Sequence, residues 1–171
     1  ALKQAEAALR EKDTQLRAIL ESTAEGILAV DNQGKVLQAS QRFAELWRVP
    51  QSLLEHGDDQ ALLDFVLSQL TEPESFLKKV QLLYGSDAMD TDVLAFKDGR
   101  FFERSSAAMV MEGARLGRVW SFRDITARKQ AEEALRESED KFKHVFDNTA
   151  IGKSITRPSG EIQVNEAFCQ M

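Results

Sequence analysis

Few residues of this chain have the type and spacing to do chemistry. The single cysteine, Cys169, excludes an internal disulfide and a Cys-rich metal site. Of the two histidines, His56 falls in the loop-like run His56-Gly57-Asp58-Asp59. His144 falls in a polar helix-forming stretch and matches no phosphoacceptor motif. Ser105 and Ser106 have no histidine base near in sequence, and no Walker loop, metal cluster or Ser-His-Asp set is present. What remains is a charged pair. Reading Lys97-Asp98-Gly99 as a turn pairs Phe96 with Arg100, Leu94 with Phe102 and Asp92 with Arg104 across a hairpin. Asp92 and Arg104 then read as a cross-strand ion pair. Alternatively, Arg104 is a fork for a small anionic ligand such as a carboxylate. A register shifted by one residue would turn both to solvent.

The elements that must hold this pair follow from the chain in order. Gly26 to Val30 and Lys35 to Ala39 read as strands around the turn 31–34. Ser40 can cap a helix over 41–47, which ends before Pro50. Asp58 or Asp59 can cap a helix over 60–70, where Leu62, Leu63, Val66, Leu67 and Leu70 make a broad apolar face. Pro73 suits the first turn of a further helix that runs through Phe76, Leu77, Val80 and Leu83 and stops near Gly85. Strands over 90–96 and 100–110 follow, then a turn at 112–114 and a last strand over 116–123. The sum is an α+β fold of five antiparallel strands with helices on one face.

The last strand, with Val119, Trp120 and Phe122, runs almost without a loop into the helix former Ala127 to Glu137. Asp124 and Thr126 offer capping oxygens between them. Strain in the sheet can therefore pass directly into that helix. Asp124-Ile125-Thr126 resembles the Asp-Ile-Thr motif that ends a PAS sensory domain and begins its signalling helix. The resemblance covers about Leu16 to Thr126. It includes Gly34 to Phe43, Phe43-Ala44-Glu45-Leu46-Trp47, the run from Lys97 to Arg104, and the run from Gly117 to Asp124.

The resemblance implies a PAS fold with N- and C-terminal signalling helices, and a ligand pocket between the sheet's inner face and the helices. In the light-sensing LOV branch a flavin-contacting glutamine lies two residues before the motif's Asp, and Phe122 stands there in this chain. Trp120 and Phe122 are then expected to point inward, with Val119, Ser121 and Arg123 outward. Period two adds Asp92, Leu94, Phe96, Phe102, Arg104 and Ser106 to the inner face. With Trp47 these are the candidate pocket residues. The cofactor is unidentified. LOV-type flavin chemistry is disfavoured because the core lacks a cysteine and Phe122 replaces the glutamine. Haem is disfavoured because haem-binding PAS domains resemble one another in a helical His ligand, and the core's one histidine, His56, falls in a Gly/Asp-rich loop. Trp47 and Trp120 could stack on a non-covalent flavin or simply pack the core.

A repeat organises the whole. Residues 1–11 nearly restate 127–137, an offset of 126 that persists from 21–26 to 147–152 and from Gly34 to Gly160. The expected domains are an N-terminal linker helix over 1–23, a PAS domain over 24–126, a signalling helix over 127–147, and the start of a second, truncated PAS domain over 148–171. The parent protein is expected to be longer at both ends. Leu2, Leu9 and Leu16 recur every seven residues, with Ala5 and Ile19 nearby. They read as the seam of a parallel dimeric coiled coil or as one amphipathic helix lying on its own domain. Ala131, Leu135, Ser138, Phe142 and Val145 form a similar seam.

Composition narrows the partners. A hydrophobic fraction of 43% suffices for a core. The net charge of −6 argues against a nucleic-acid surface. No apolar run approaches the roughly 20 residues that span a bilayer, and the start is no signal peptide. A cytoplasmic homodimer, with a small molecule as candidate ligand, is expected. The resemblance implies a sensory and signal-relay module, not itself an enzyme. Its parent would be a bacterial sensor histidine kinase or, alternatively, a diguanylate cyclase. A ligand-free dimerisation scaffold is the other reading.

Overall fold

The computed structural model describes residues 1–170. Contacts divide the chain into two compact units, Ala1–Thr126 and Ala127–Met171. In the first, α1 (Leu2–Glu21) leads into β1 (Gly26–Asp31) and β2 (Val36–Ala39). The helices α2 (Gln41–Trp47), α3 (Gln51–Glu55), α4 (Asp59–Gln69) and α5 (Pro73–Tyr84) follow, then β3 (Asp90–Ala95), β4 (Phe101–Met111) and β5 (Ala114–Asp124). The five strands pair antiparallel in the order β2-β1-β5-β4-β3, so the expected α+β fold is present.

Local chemistry accounts for the boundaries. Ser40 Oγ accepts the Phe43 N–H at 3.1 Å and caps α2, and Asp58 Oδ1 accepts the Ala61 N–H at 3.0 Å and caps α4. Pro73 occupies the first turn of α5, where its missing N–H costs nothing. Periodicity did not predict α3, a single short segment that Pro50 starts. Leu70 leaves the helix expected for it and instead bridges Phe96.

The strands alternate. Phe102, Arg104 and Ser106 of β4 and Arg118, Trp120 and Phe122 of β5 are buried on the inner face, while Ser121 is half-buried and Arg123 exposed. Val119 is also half-buried, on the face away from the helices. Two glycines permit close packing. A Cβ at Gly26 would sit 2.8 Å from Phe43 Cα, and one at Gly117 would collide with the Val30 carbonyl oxygen.

The second unit contains the body of α6 (Thr126–Asp147), then β6 (Ser154–Thr156), β7 (Ile162–Val164) and α7 (Glu166–Cys169). Its hydrogen bonds reproduce those of the first unit. Ser40 Oγ accepts from Ile27 and Phe43 N–H groups at 2.9 and 3.1 Å; Asn165 Oδ1 accepts from Lys153 and Phe168 at 2.8 and 3.1 Å. Gly34 and Gly160 both turn with positive φ, +84° and +87°.

Candidate functional site: a cavity and a junction on one strand

Between the inner face of the sheet and α4–α5 lies a cavity of about 640 Å³. Its wall takes Leu28 and Val30 from β1, Phe43 and Trp47 from α2, Leu62 and Val66 from α4, Phe76 and Tyr84 from α5, and Trp120 and Phe122 from β5. The amphipathic faces of α4 and α5 put these side chains over the sheet. The residues that line its mouth, Gln33, Lys35, Gln60 and Gln81, are exposed. Burial pushes the Tyr84 phenol up, and the nearby Asp31 carboxylate adds to that.

The nine candidate pocket residues divide into groups. Trp47, Trp120 and Phe122 line the large cavity. Phe96 and Phe102 pack on Trp47 instead, with ring centroids 4.9 and 5.7 Å away, and fill the core beside it. Asp92, Leu94 and Arg104 line a separate cleft of about 190 Å³ with Phe76 and Lys79. Ser106 lines neither cavity; it is buried and its Oγ has no hydrogen-bond partner.

Asp92 and Arg104 are directly opposite on β3 and β4. Arg104, 1% exposed, binds the carboxylate side-on, Nε to Oδ1 at 2.8 Å and Nη2 to Oδ2 at 2.6 Å. Lys79 of α5 reaches the same carboxylate at 3.0 Å and Asp90 at 2.8 Å. Burial alone would raise the Asp92 carboxyl, but the hydrogen bonds from Arg104 and Lys79 outweigh it and hold the group below its usual range. The guanidinium plane also lies over Phe76, 4.6 Å from the centroid. This arrangement ties α5 to the sheet.

Sequence reasoning missed Lys79, Tyr84 and Arg118. Arg118 was legible, since period two from Trp120 puts it on the inner face. It is 2% exposed, donates from Nη1 and Nη2 to the Ala88 carbonyl, and leaves Nε unpartnered. Burial, and then the Arg115 charge, pull its pKa down. His56 lies in an exposed loop with Nδ1 against the Ser52 carbonyl, and Cys169 lies in α7 of the second unit. Neither lines the cavity.

The junction is a compact hydrogen-bonded knot. Asp124 Oδ1 accepts the Thr126 N–H at 2.9 Å and the Thr126 hydroxyl at 2.5 Å. Thr126 Oγ1 accepts the Phe101 N–H at 3.0 Å, and the Ile125 N–H donates to the Phe101 carbonyl at 2.9 Å. Ile125 itself is 4% exposed. Among the described residues no helix is long and apolar enough to cross a membrane.

Residues 14–81 match the family profile described as PAS domain. Sporulation kinase E of Bacillus subtilis (strain 168) is 27% identical over 146 residues, which cover 84% of this chain. The chain spans 19% of that relative's length. The PAS domain of an HTR-like protein from Haloarcula marismortui shares the fold with a TM-score of 0.51 at 19% identity, over 72% of this chain and 99% of that one. The PAS domain of Bordetella pertussis BvgS does so with a TM-score of 0.50 at 12% identity, over 77% of this chain and 98% of that one. Profile and fold agree: residues 14–81 match the PAS domain profile, and the chain has the fold of solved PAS domains.

Proposed function

We propose that residues 24–126 are the small-molecule-sensing and relay module of a cytoplasmic sensor histidine kinase, acting as a homodimer through α1 and α6. One observation carries the reading: β5 serves both the cavity and the junction. Trp120 and Phe122 line the cavity, and two residues on, Asp124 caps the start of α6. A molecule that displaces the two aromatic rings acts on the strand that holds the helix. The shift passes into α6 as a rotation or a change of register. The similarity to a sporulation kinase supports the class of parent. Leu2, Leu9, Leu16 and Ile19 of α1 are exposed, which supports a second copy as their cover. The hydrogen bonds shared by Ser40 and Asn165 support a second PAS copy after α6.

Native mass spectrometry of the folded chain, compared with its denatured mass, tests both parts. Extra mass on each protomer of a dimer is the expected result. Leu9→Asp with Leu16→Asp is expected to give a monomer whose core melts unchanged. A bare dimer favours the second reading, a ligand-free dimerisation scaffold. The aromatic packing of Phe43, Phe96, Phe102 and Phe122 around Trp47 supports that reading. A bare monomer removes the dimer argument as well.

A further inference from the structure

We infer that the large cavity selects a neutral, mainly apolar ligand bearing a hydrogen-bond-accepting oxygen, and rejects carboxylates and ammonium groups. This rests on the ligand-sensing reading above. The deep wall, made by Phe43, Trp47, Leu62, Val66, Phe76 and Trp120, is buried and carries no charge. The charged residues of the lining are Lys35 and Asp59. Lys35 is exposed at the mouth, and Asp59 is half-buried with Oδ2 engaged by the Val36 N–H at 3.2 Å.

The two inward guanidiniums that could have met an anion are committed elsewhere. Arg104 holds Asp92 in the separate cleft, and Arg118 donates to the Ala88 carbonyl; neither lines this cavity. An ionised headgroup carried past the mouth would lose its hydration and find no partner.

The wall does offer a donor. Tyr84 brings a phenol to the lining, and burial pushes its pKa further up, so the hydroxyl remains a neutral donor. A hydroxyl or carbonyl oxygen suits that donor without a charge. A volume of about 640 Å³ accepts a medium alkyl chain or a fused aromatic system.

The sequence has two tryptophans, Trp47 and Trp120, and both line the cavity, so their emission reports occupancy directly. The full chain would be titrated at neutral pH, below micelle formation, with 1-decanol, decanoate and decylammonium, which share one tail and differ in the head. Decanol is expected to change the emission saturably and to bind at least about tenfold more tightly than either ion. Leu62→Phe, which narrows the wall, is expected to weaken decanol binding while the circular dichroism is retained. Val66→Phe serves if that variant does not fold. Decanoate or decylammonium binding as tightly as decanol would overturn the neutral-ligand assignment and leave the cavity a ligand site. No saturable change with any of the three would overturn both the assignment and the ligand-sensing reading.

Discussion

Thr126 and Phe101 are bound to one another across the sheet–helix joint. The Phe101 N–H donates to Thr126 Oγ1 at 3.0 Å, while the next residue back, Ile125, donates to the Phe101 carbonyl at 2.9 Å. The first residue of β4 is thereby fixed to the first residue of α6. Moving the backbone at 125–126 away from β4 breaks both hydrogen bonds.

Thr126→Val removes the acceptor for the Phe101 N–H and the donor to Asp124. It is expected to cost about 1–2 kcal/mol in urea unfolding. Asp124→Ala, which removes a cap at an exposed position, is expected to cost about 1 kcal/mol with the far-ultraviolet circular dichroism unchanged. Thr126→Ser should restore most of the loss. A Val variant as stable as the parent chain would show that this hydroxyl does not hold the joint.

Acid is expected to weaken the fold through Asp92. Its carboxyl lies below the usual range in the folded chain, because Arg104 and Lys79 donate to it against the opposing effect of burial. Its contribution is therefore complete above the unfolded value of about 4 and is lost as the pH falls through the lower folded value. Asp92→Asn should flatten that part of the acid limb. At neutral pH it should cost on the order of 3 kcal/mol by stranding Arg104. Lys79 shifts the other way, chiefly through its hydrogen bond with Asp90 and against the effect of burial. Its contribution is complete below its unfolded value of about 10.4 and fades above it.

The two buried arginines should respond differently to the same change. Arg104→Met leaves Asp92 with Lys79 alone and is expected to cost on the order of 2–3 kcal/mol. Arg118→Met removes a guanidinium whose hydrogen bonds go to one carbonyl, that of Ala88, a residue exposed enough for water to replace them. Its midpoint in urea should stay within about 1 kcal/mol of the parent. Equal losses for the two variants would contradict the assignment of charge pairing to Arg104.

Gly26→Ala forces β1 and α2 apart, since the new Cβ meets Phe43 Cα at 2.8 Å. A loss of about 1–3 kcal/mol is expected in thermal or urea unfolding. Gly117→Ala should be worse. It combines a collision with the Val30 carbonyl with a φ of +155° that an L side chain rarely adopts. A stable Gly117 variant would mean that β5 can move away from β1.

The sequence by itself determined the order of the five sheet strands and of the helices packed on them other than α3, the pairing of Asp92 with Arg104 and the strand-to-helix passage at 124–126. Each rests on a local signal: apolar spacing with period two or near 3.6, an Asp-Gly turn that sets register, or a side chain able to cap a helix. Tertiary structure decided which inward residues meet a cavity. Phe122, Phe102 and Phe96 all face inward, yet Phe122 lines the space and the other two fill the core beside Trp47. That outcome depends on how far α4 and α5 stand off the sheet, a distance set by packing among residues remote in sequence. Lys79, Tyr84 and Phe76 reach the site because α5 lies over β3, β4 and β5, and no pattern within α5 names those neighbours. Arg104 shows the division most directly: period two turned it inward, but α5 supplied the lysine that shares its carboxylate and the aromatic face beneath it.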